Sequence, residues 1–201
     1  MYFAGIDPSL SATAVVLIDE SGVLKHSRVI TTKLTGPARL QVIRDEAKRE
    51  LYDLYSASSY TQCLVQVCIE HYAMGAKFGR ELAGELGGVL RVMMFENEID
   101  YDEVPPLRLK QFATGKASAE KDHILLAVFK KWGIEFKTND EADAFILAQM
   151  ARVLWTVKSI GETGYDRLKL MAYERDVIQN ILNPATKPKK KSGRKIKSEA
   201  A

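Results

Sequence analysis

Two short apolar runs, each closed by a carboxylate, constrain this chain more than any other feature. Tyr2-Phe3-Ala4-Gly5-Ile6 ends at Asp7, and Leu64-Val65-Gln66-Val67-Cys68-Ile69 ends at Glu70. Runs of this length read as strands rather than helices. The second is apolar at nearly every position, the composition of a central strand covered on both faces. An acid at the end of a buried strand is costly unless it has a partner or a task. If the two strands are neighbours, Asp7 and Glu70 lie side by side at one edge of a sheet.

The surrounding pattern supplies the rest of that sheet. Thr13 to Ile18 is rich in β-branched residues and reads as a strand. After the Glu20-Ser21-Gly22 turn, Val23 to Ile30 makes another, so the first three strands form an antiparallel meander. Leu40, Ile43, Ala47, Leu51 and Leu54 recur at helical spacing within residues 38–57. A helix over 78–95 follows the Glu70 strand, and Gly84, Gly87 and Gly88 would let another backbone approach it closely. Residues 99–104 make the last strand, ended by Pro105-Pro106. Ser118 is expected to cap a helix that runs through Trp132 and stops at Gly133. Helices over 140–158 and 162–182 complete an α/β fold: a mixed five-stranded sheet flanked by helices.

Asp140 and Asp143 are three residues apart at the start of a helix, so they share one face. Glu141, between them, should point elsewhere. Taken singly, each acid has a plain structural reading. Asp7 precedes Pro8 and suits a turn, and Asp140 and Asp143 suit the positive end of a helix dipole. Together they suggest a metal site, because clustered carboxylates repel and hard divalent cations relieve that repulsion. Two such ions roughly 3.5–4 Å apart stabilise both the attacking and the leaving oxygen of a phosphodiester displacement, with water as nucleophile. The residues thus point to a Mg²⁺-dependent nuclease chemistry that needs no Ser or Cys nucleophile.

Charge adds a polyanionic partner. The formal net charge is +3, yet from Pro184 onward seven basic residues, among them Lys189, Lys190 and Lys191, face Glu199 alone. That tail carries +6 and leaves the body at −3. A basic arm of this kind suits sequence-independent phosphate binding, or is a solvated tail. Lys110, Lys116 and Lys121 surround the turn at Gly115 and could hold phosphates there. The GKAS tetrapeptide is not a nucleotide-binding loop, since Lys110 stands where that motif needs Gly. His71 could act as a base or touch DNA, or be a surface residue, and Tyr72 could stack on a base. Cys63 and Cys68 fall on opposite faces of one strand and should not bridge, which fits a reducing, cytoplasmic setting. No signal peptide or membrane span is expected.

The stretches LKQFATGKASAEK at 109–121 and NDEADAFILA at 139–148, with GIDPSLSATA and IEHYAMG, resemble the RuvC-type Holliday junction resolvases. The resemblance covers about residues 2–153 and implies the RNase H-like, retroviral-integrase fold. It implies Asp7, Glu70, Asp140 and Asp143 as metal-binding catalytic acids, with two Mg²⁺ ions per site and Mn²⁺ as a substitute. It places Lys110 and Lys121 near the scissile phosphate and DNA backbone. It also implies a homodimer that nicks a four-way junction symmetrically in recombination and repair, with the helix at 78–95 as a dimer contact. The sequence departs from the family at Ser9 and Ala117, where Gly is common. It departs again at Ala73, where cellular members often carry an aromatic that enters the junction, a role open here to Tyr72 or Phe78. These departures, a further helix at 161–183 and the tail at 184–201 beyond a nuclease domain at 1–160, look like a phage or other divergent member.

Three other readings stand beside a junction endonuclease. A resolvase-like dimer could hold junctions without cutting, and an RNase H-like enzyme could cut more generally. A sugar-kinase or actin-type ATPase also opens on a GxD strand. It needs a second phosphate loop and an adenosine segment that this chain lacks, so no nucleotide cofactor is expected.

Overall fold

In the computed structural model, residues 1–56, 64–71 and 80–184 are described. The sheet has five strands: β1 (Tyr2–Asp7), β2 (Thr13–Asp19), β3 (Leu24–Ile30), β4 (Leu64–Glu70) and β5 (Tyr101–Val104), in the order β3-β2-β1-β4-β5. β1, β2 and β3 pair antiparallel as the expected meander, whereas β4 and β5 join parallel to β1 and to each other. A parallel pairing needs a crossover, and helices provide it. These are α1 (Gly36–Ser56) before β4 and α2 (Arg80–Glu96) before β5.

Side-chain alternation along each strand divides the core in two. On one face Ala4, Ile6, Val15, Leu17, Val67 and Ile69 pack against Ile43, Ala47 and Leu51 of α1 and Leu86, Leu90 and Met93 of α2. On the other, Phe3, Ala14, Val16, Ile18 and Cys68 meet α5 (Asn139–Ile160). α5 lies directly on the sheet. Outside it pack α3 (Pro106–Thr114), α4 (Lys121–Trp132), α6 (Thr163–Arg167) and α7 (Ala172–Leu182). Covered on both sides, α5 is apolar nearly all round from Ala142 to Val157.

Gly5 sets how close α5 comes. A Cβ built there would stand 1.9 Å from the Ala144 carbonyl oxygen and 2.5 Å from the Ala148 nitrogen. Only a residue without a side chain admits the helix backbone at that point.

Three expectations change. Pro105-Pro106 does more than end a strand. Pro106 opens α3, where its missing N–H costs nothing, and Leu109, Phe112 and Ala113 form the buried stripe. Ser118 does not cap α4. The Ala119 amide bonds back to the Lys116 carbonyl at 3.3 Å, a separate turn, and Glu120 is the cap residue. The helix expected over 162–182 is two helices. Lys169 takes a left-handed conformation between them, and the Glu174 carboxylate accepts from the Met171 amide at 2.8 Å to start α7 afresh. Tyr165, Val177 and Ile178 of these helices are buried in the α5-side core. None of the described helices is long and apolar enough to cross a membrane.

Candidate active site

Strand register brings the first two acids together. Gly5 is level with Cys68 and Ile6 with Ile69, so Asp7 and Glu70 close the two central parallel strands at the same height. Asp7 shares the parity of Phe3 and Gly5, and Glu70 that of Cys68, so both carboxylates turn to the α5 face. There, Ala144, Leu147 and Ala148 meet Gly5. Asp140 lies one turn before Ala144 and Asp143 one turn before Leu147, so both acids project on this sheet-facing side, beyond the strand ends.

The electrostatics record the result. Burial pushes the Glu70 carboxyl above the ordinary carboxylate range, and the nearby charges of Asp143 and Asp140 add to the rise. A side-chain hydrogen bond with Asp7 and the charge of Lys110 oppose it. Two carboxyls that share a hydrogen bond need a proton between them. Asp7, Asp140 and Asp143, the other three acids expected from sequence, and Lys110 of α3 therefore all act on Glu70 at this sheet edge. Asp7 is buried, and Glu70, Lys110, Asp140 and Asp143 are half-buried.

A set of hard carboxylate oxygens under mutual repulsion suits a divalent cation. The Asn139 Oδ1 atom, next in sequence to Asp140, is buried with no hydrogen-bond partner among the described residues. It is a neutral amide oxygen, itself a hard donor of the kind divalent cations accept beside carboxylates. Among the described residues, no group of three or more His, Cys, Asp or Glu side chains is drawn tightly enough to chelate an ion. The acids are gathered but not closed on one centre.

Glu141 points away from this group, as its place between the two aspartates requires. Its carboxylate accepts from Ser27 Oγ of β3 at 3.0 Å and from Thr138 Oγ1 at 3.0 Å, while its amide donates to Thr138 Oγ1 at 3.2 Å. The acid-bearing turn of α5 is thereby tied to an edge strand. Ser27 and Thr138 escaped the sequence reading. Thr138, with acids in the turn that follows, was a legible helix cap, but nothing local pairs Ser27 with a residue 114 positions away.

The remaining expected residues are dispersed. Lys116 is exposed in the turn after α3. Lys121 opens α4, and its side chain lies outside the described residues, as do Tyr72, Ala73, Phe78, Cys63 and the tail lysines Lys189, Lys190 and Lys191. His71 pairs with Glu103 of β5 at 3.2 Å, which in turn accepts from Arg91 Nε of α2 at 2.6 Å. That network braces the β4–β5–α2 side of the sheet.

No curated protein matches this chain by sequence. The family described as crossover junction endodeoxyribonuclease RuvC matches residues 3–150. The Thermus thermophilus RuvC structure is similar at 21% identity and a TM-score of 0.58, covering 85% of this chain and 98% of that one. T. thermophilus RuvC in complex with Holliday junction substrate is similar at 22% identity and a TM-score of 0.60, covering 74% and 90%. At such identities the structural likeness speaks to the fold.

Proposed function

This chain belongs to the crossover junction endodeoxyribonuclease RuvC family, and from that premise we propose a structure-selective endonuclease that resolves four-way DNA junctions. The observation that carries the proposal is the meeting of Asp7, Glu70, Asp140 and Asp143 at the end of the central parallel strands, with Lys110 beside them. The family is divalent-metal dependent, and the donor set here fits two Mg²⁺ ions, with Mn²⁺ as a substitute. When bound, the metal supplies Lewis-acid stabilisation to the attacking and leaving oxygens of the phosphodiester and eases deprotonation of the attacking water.

The protein's own groups do the positioning. Asp7 and Glu70, at level strand ends, would hold the metal together with Asp140 and Asp143 from the N-terminal end of α5. A divalent ion held there would displace the proton that Asp7 and Glu70 share, so metal binding should weaken as pH falls. Lys110 offsets charge at the acids and is placed to meet a phosphate. Lys116, Lys121 and the tail lysines hold the DNA backbone, and Tyr72 is the candidate for stacking at the junction.

Symmetric nicking requires two such sites. α2 leaves Val92 and Phe95 exposed, Phe95 at 81%, on the same side of the helix as Gly84 and Gly88, which have open space at their Cα. An apolar helix face with room for close backbone approach suits a second copy of this chain. Phe95→Glu should then give a monomer in sedimentation and uncouple the two nicks.

The deciding experiment incubates the protein with a synthetic four-way junction and a matching linear duplex, each with Mg²⁺ or EDTA. Paired, Mg²⁺-dependent nicks confined to the junction, leaving 5′-phosphates, are expected. Asp7→Asn should abolish them, a loss of at least about 1,000-fold on the scale of deleted catalytic electrostatics, without loss of junction binding. Normal cutting by that variant would overturn the metal assignment. Equal cutting of linear DNA would make the protein a general nuclease, and binding without any product a junction-binding module.

A further inference from the structure

A cleft of about 690 Å³ opens between the end of α3, the turn at 115–120, α4 and α7. Thr114 on its lip donates its hydroxyl to the Lys110 carbonyl at 2.8 Å, so the cleft begins one helical turn, about 6 Å, beyond the lysine beside the acids. Its walls are largely apolar. Leu126 and Met171 line it while 46% and 60% exposed, an unusual cost for side chains of that kind unless something covers them. The Tyr173 ring forms another wall, close against Gly115, whose missing side chain leaves the ring about 3.7 Å from the Cβ position. Burial holds the Tyr173 phenol above its usual range, so the ring stays neutral. Lys116 and Lys130 stand exposed at the mouth, with Glu120 as the opposing charge. Thr114, Ser118 and His123 offer hydrogen-bonding groups among the apolar ones.

We propose that this cleft is a subsite for an unpaired nucleotide of single-stranded DNA, its base against Tyr173, Leu126 and Met171 and its phosphates at Lys116 and Lys130. The proposal rests on the branched-DNA reading above and names where a strand leaving the acid cluster goes. An aromatic wall beside lysines matches a base and its backbone together, because stacking and phosphate pairing act on the same nucleotide. Lys116 and Lys130 at the mouth repel the chain's own basic tail and attract a polyanion instead. Part of the cleft, the α7 wall, lies beyond the residues that match the family.

The test uses the full chain in EDTA, where nothing is cut. Fluorescein-labelled (dT)12 and a hairpin duplex of equal charge are titrated by anisotropy. Tyr173→Ala should weaken (dT)12 by about 10-fold, the scale of one lost base stack, and leave the hairpin within two-fold. Tyr173→Phe should restore the strand affinity. Lys130→Glu should weaken (dT)12 with a shallower salt dependence. Equal loss on both probes, or none on (dT)12, overturns the subsite. Circular dichroism of each variant separates a folding defect, and if Tyr173→Ala is unfolded, photocrosslinking of wild type to 5-iodouracil in the same strand decides. An adduct within 171–175 supports the cleft, and adducts solely elsewhere overturn it. Junction cutting in Mg²⁺ is scored separately. Absence of cutting sinks the nuclease reading whatever the strand binds, whereas cutting with unchanged (dT)12 affinity in Tyr173→Ala sinks only the subsite.

Discussion

Glu70 sits where the fold and its proposed metal-binding role pull apart. Burial raises its pKa above the ordinary 4.5, with Asp143 and Asp140 adding to the rise. Folding therefore favours its protonated form. That contribution is full below pH 4.5 and is lost as pH rises through the folded-state pKa, because the native state then holds a proton the unfolded chain has released. Without metal, Glu70→Gln should melt a few degrees above wild type at pH 7, and the gap should close toward pH 4.5. Added Mg²⁺ should raise the wild-type midpoint and leave the variant unmoved. A variant that melts below wild type in EDTA at pH 7 would refute this account. Glu141 acts at one remove. Ser27→Ala or Glu141→Ala should raise the Mg²⁺ needed for half-maximal cutting by about 10-fold, the scale for groups that orient metal ligands from behind, with junction binding in EDTA unchanged. Glu141→Gln keeps an acceptor oxygen and should recover part of the loss. An unaltered Mg²⁺ dependence in Ser27→Ala would mean the tether is idle.

Among the elements, the decisive contact is that of β1 with α5. Three of the four acids hang on it: Asp7 at the end of the strand, Asp140 and Asp143 at the start of the helix. The helix approaches only because Gly5 has no Cβ to strike the Ala144 carbonyl. Gly5→Val should cost at least about 3 kcal/mol, the upper range for overpacking, because rigid backbone rather than a movable side chain stands in the way. Urea denaturation reads this directly, and a loss under about 1 kcal/mol, the lower range for overpacking, would show that α5 can back off the sheet. These elements were largely legible beforehand, since the short apolar or β-branched runs of the strands and the period-3.6 patterns of α1, α2, α4 and α5 are local. α3 was hidden by its own proline pair, which reads equally as a strand end and as a helix start. The break at Lys169 was hidden because the apolar spacing runs on across it.

For the molecule as a whole, charge is divided between a −3 body and a +6 tail. The tail lies outside the described residues, so its proposed role follows from composition. Truncation at Pro184 should flatten the plot of log binding constant against log salt by about 0.9 for each phosphate that the tail neutralises in the full chain. Metal-dependent cutting should persist. An unchanged slope would leave the tail as a solvated appendage.

By itself, the sequence determined the four acids, the meander, the near-continuous apolar central strand and the family resemblance. Each rests on residue type and short spacing. Only the tertiary structure decided that Asp7 and Glu70 are level and face α5, that the charge of Lys110 acts at Glu70, that Glu141 reaches across to Ser27, and that α7 walls a cleft beside α3. Those relations join residues tens to more than a hundred positions apart. They depend on strand register, on side-chain parity and on how closely backbones pack, none of which leaves a periodic mark along the chain.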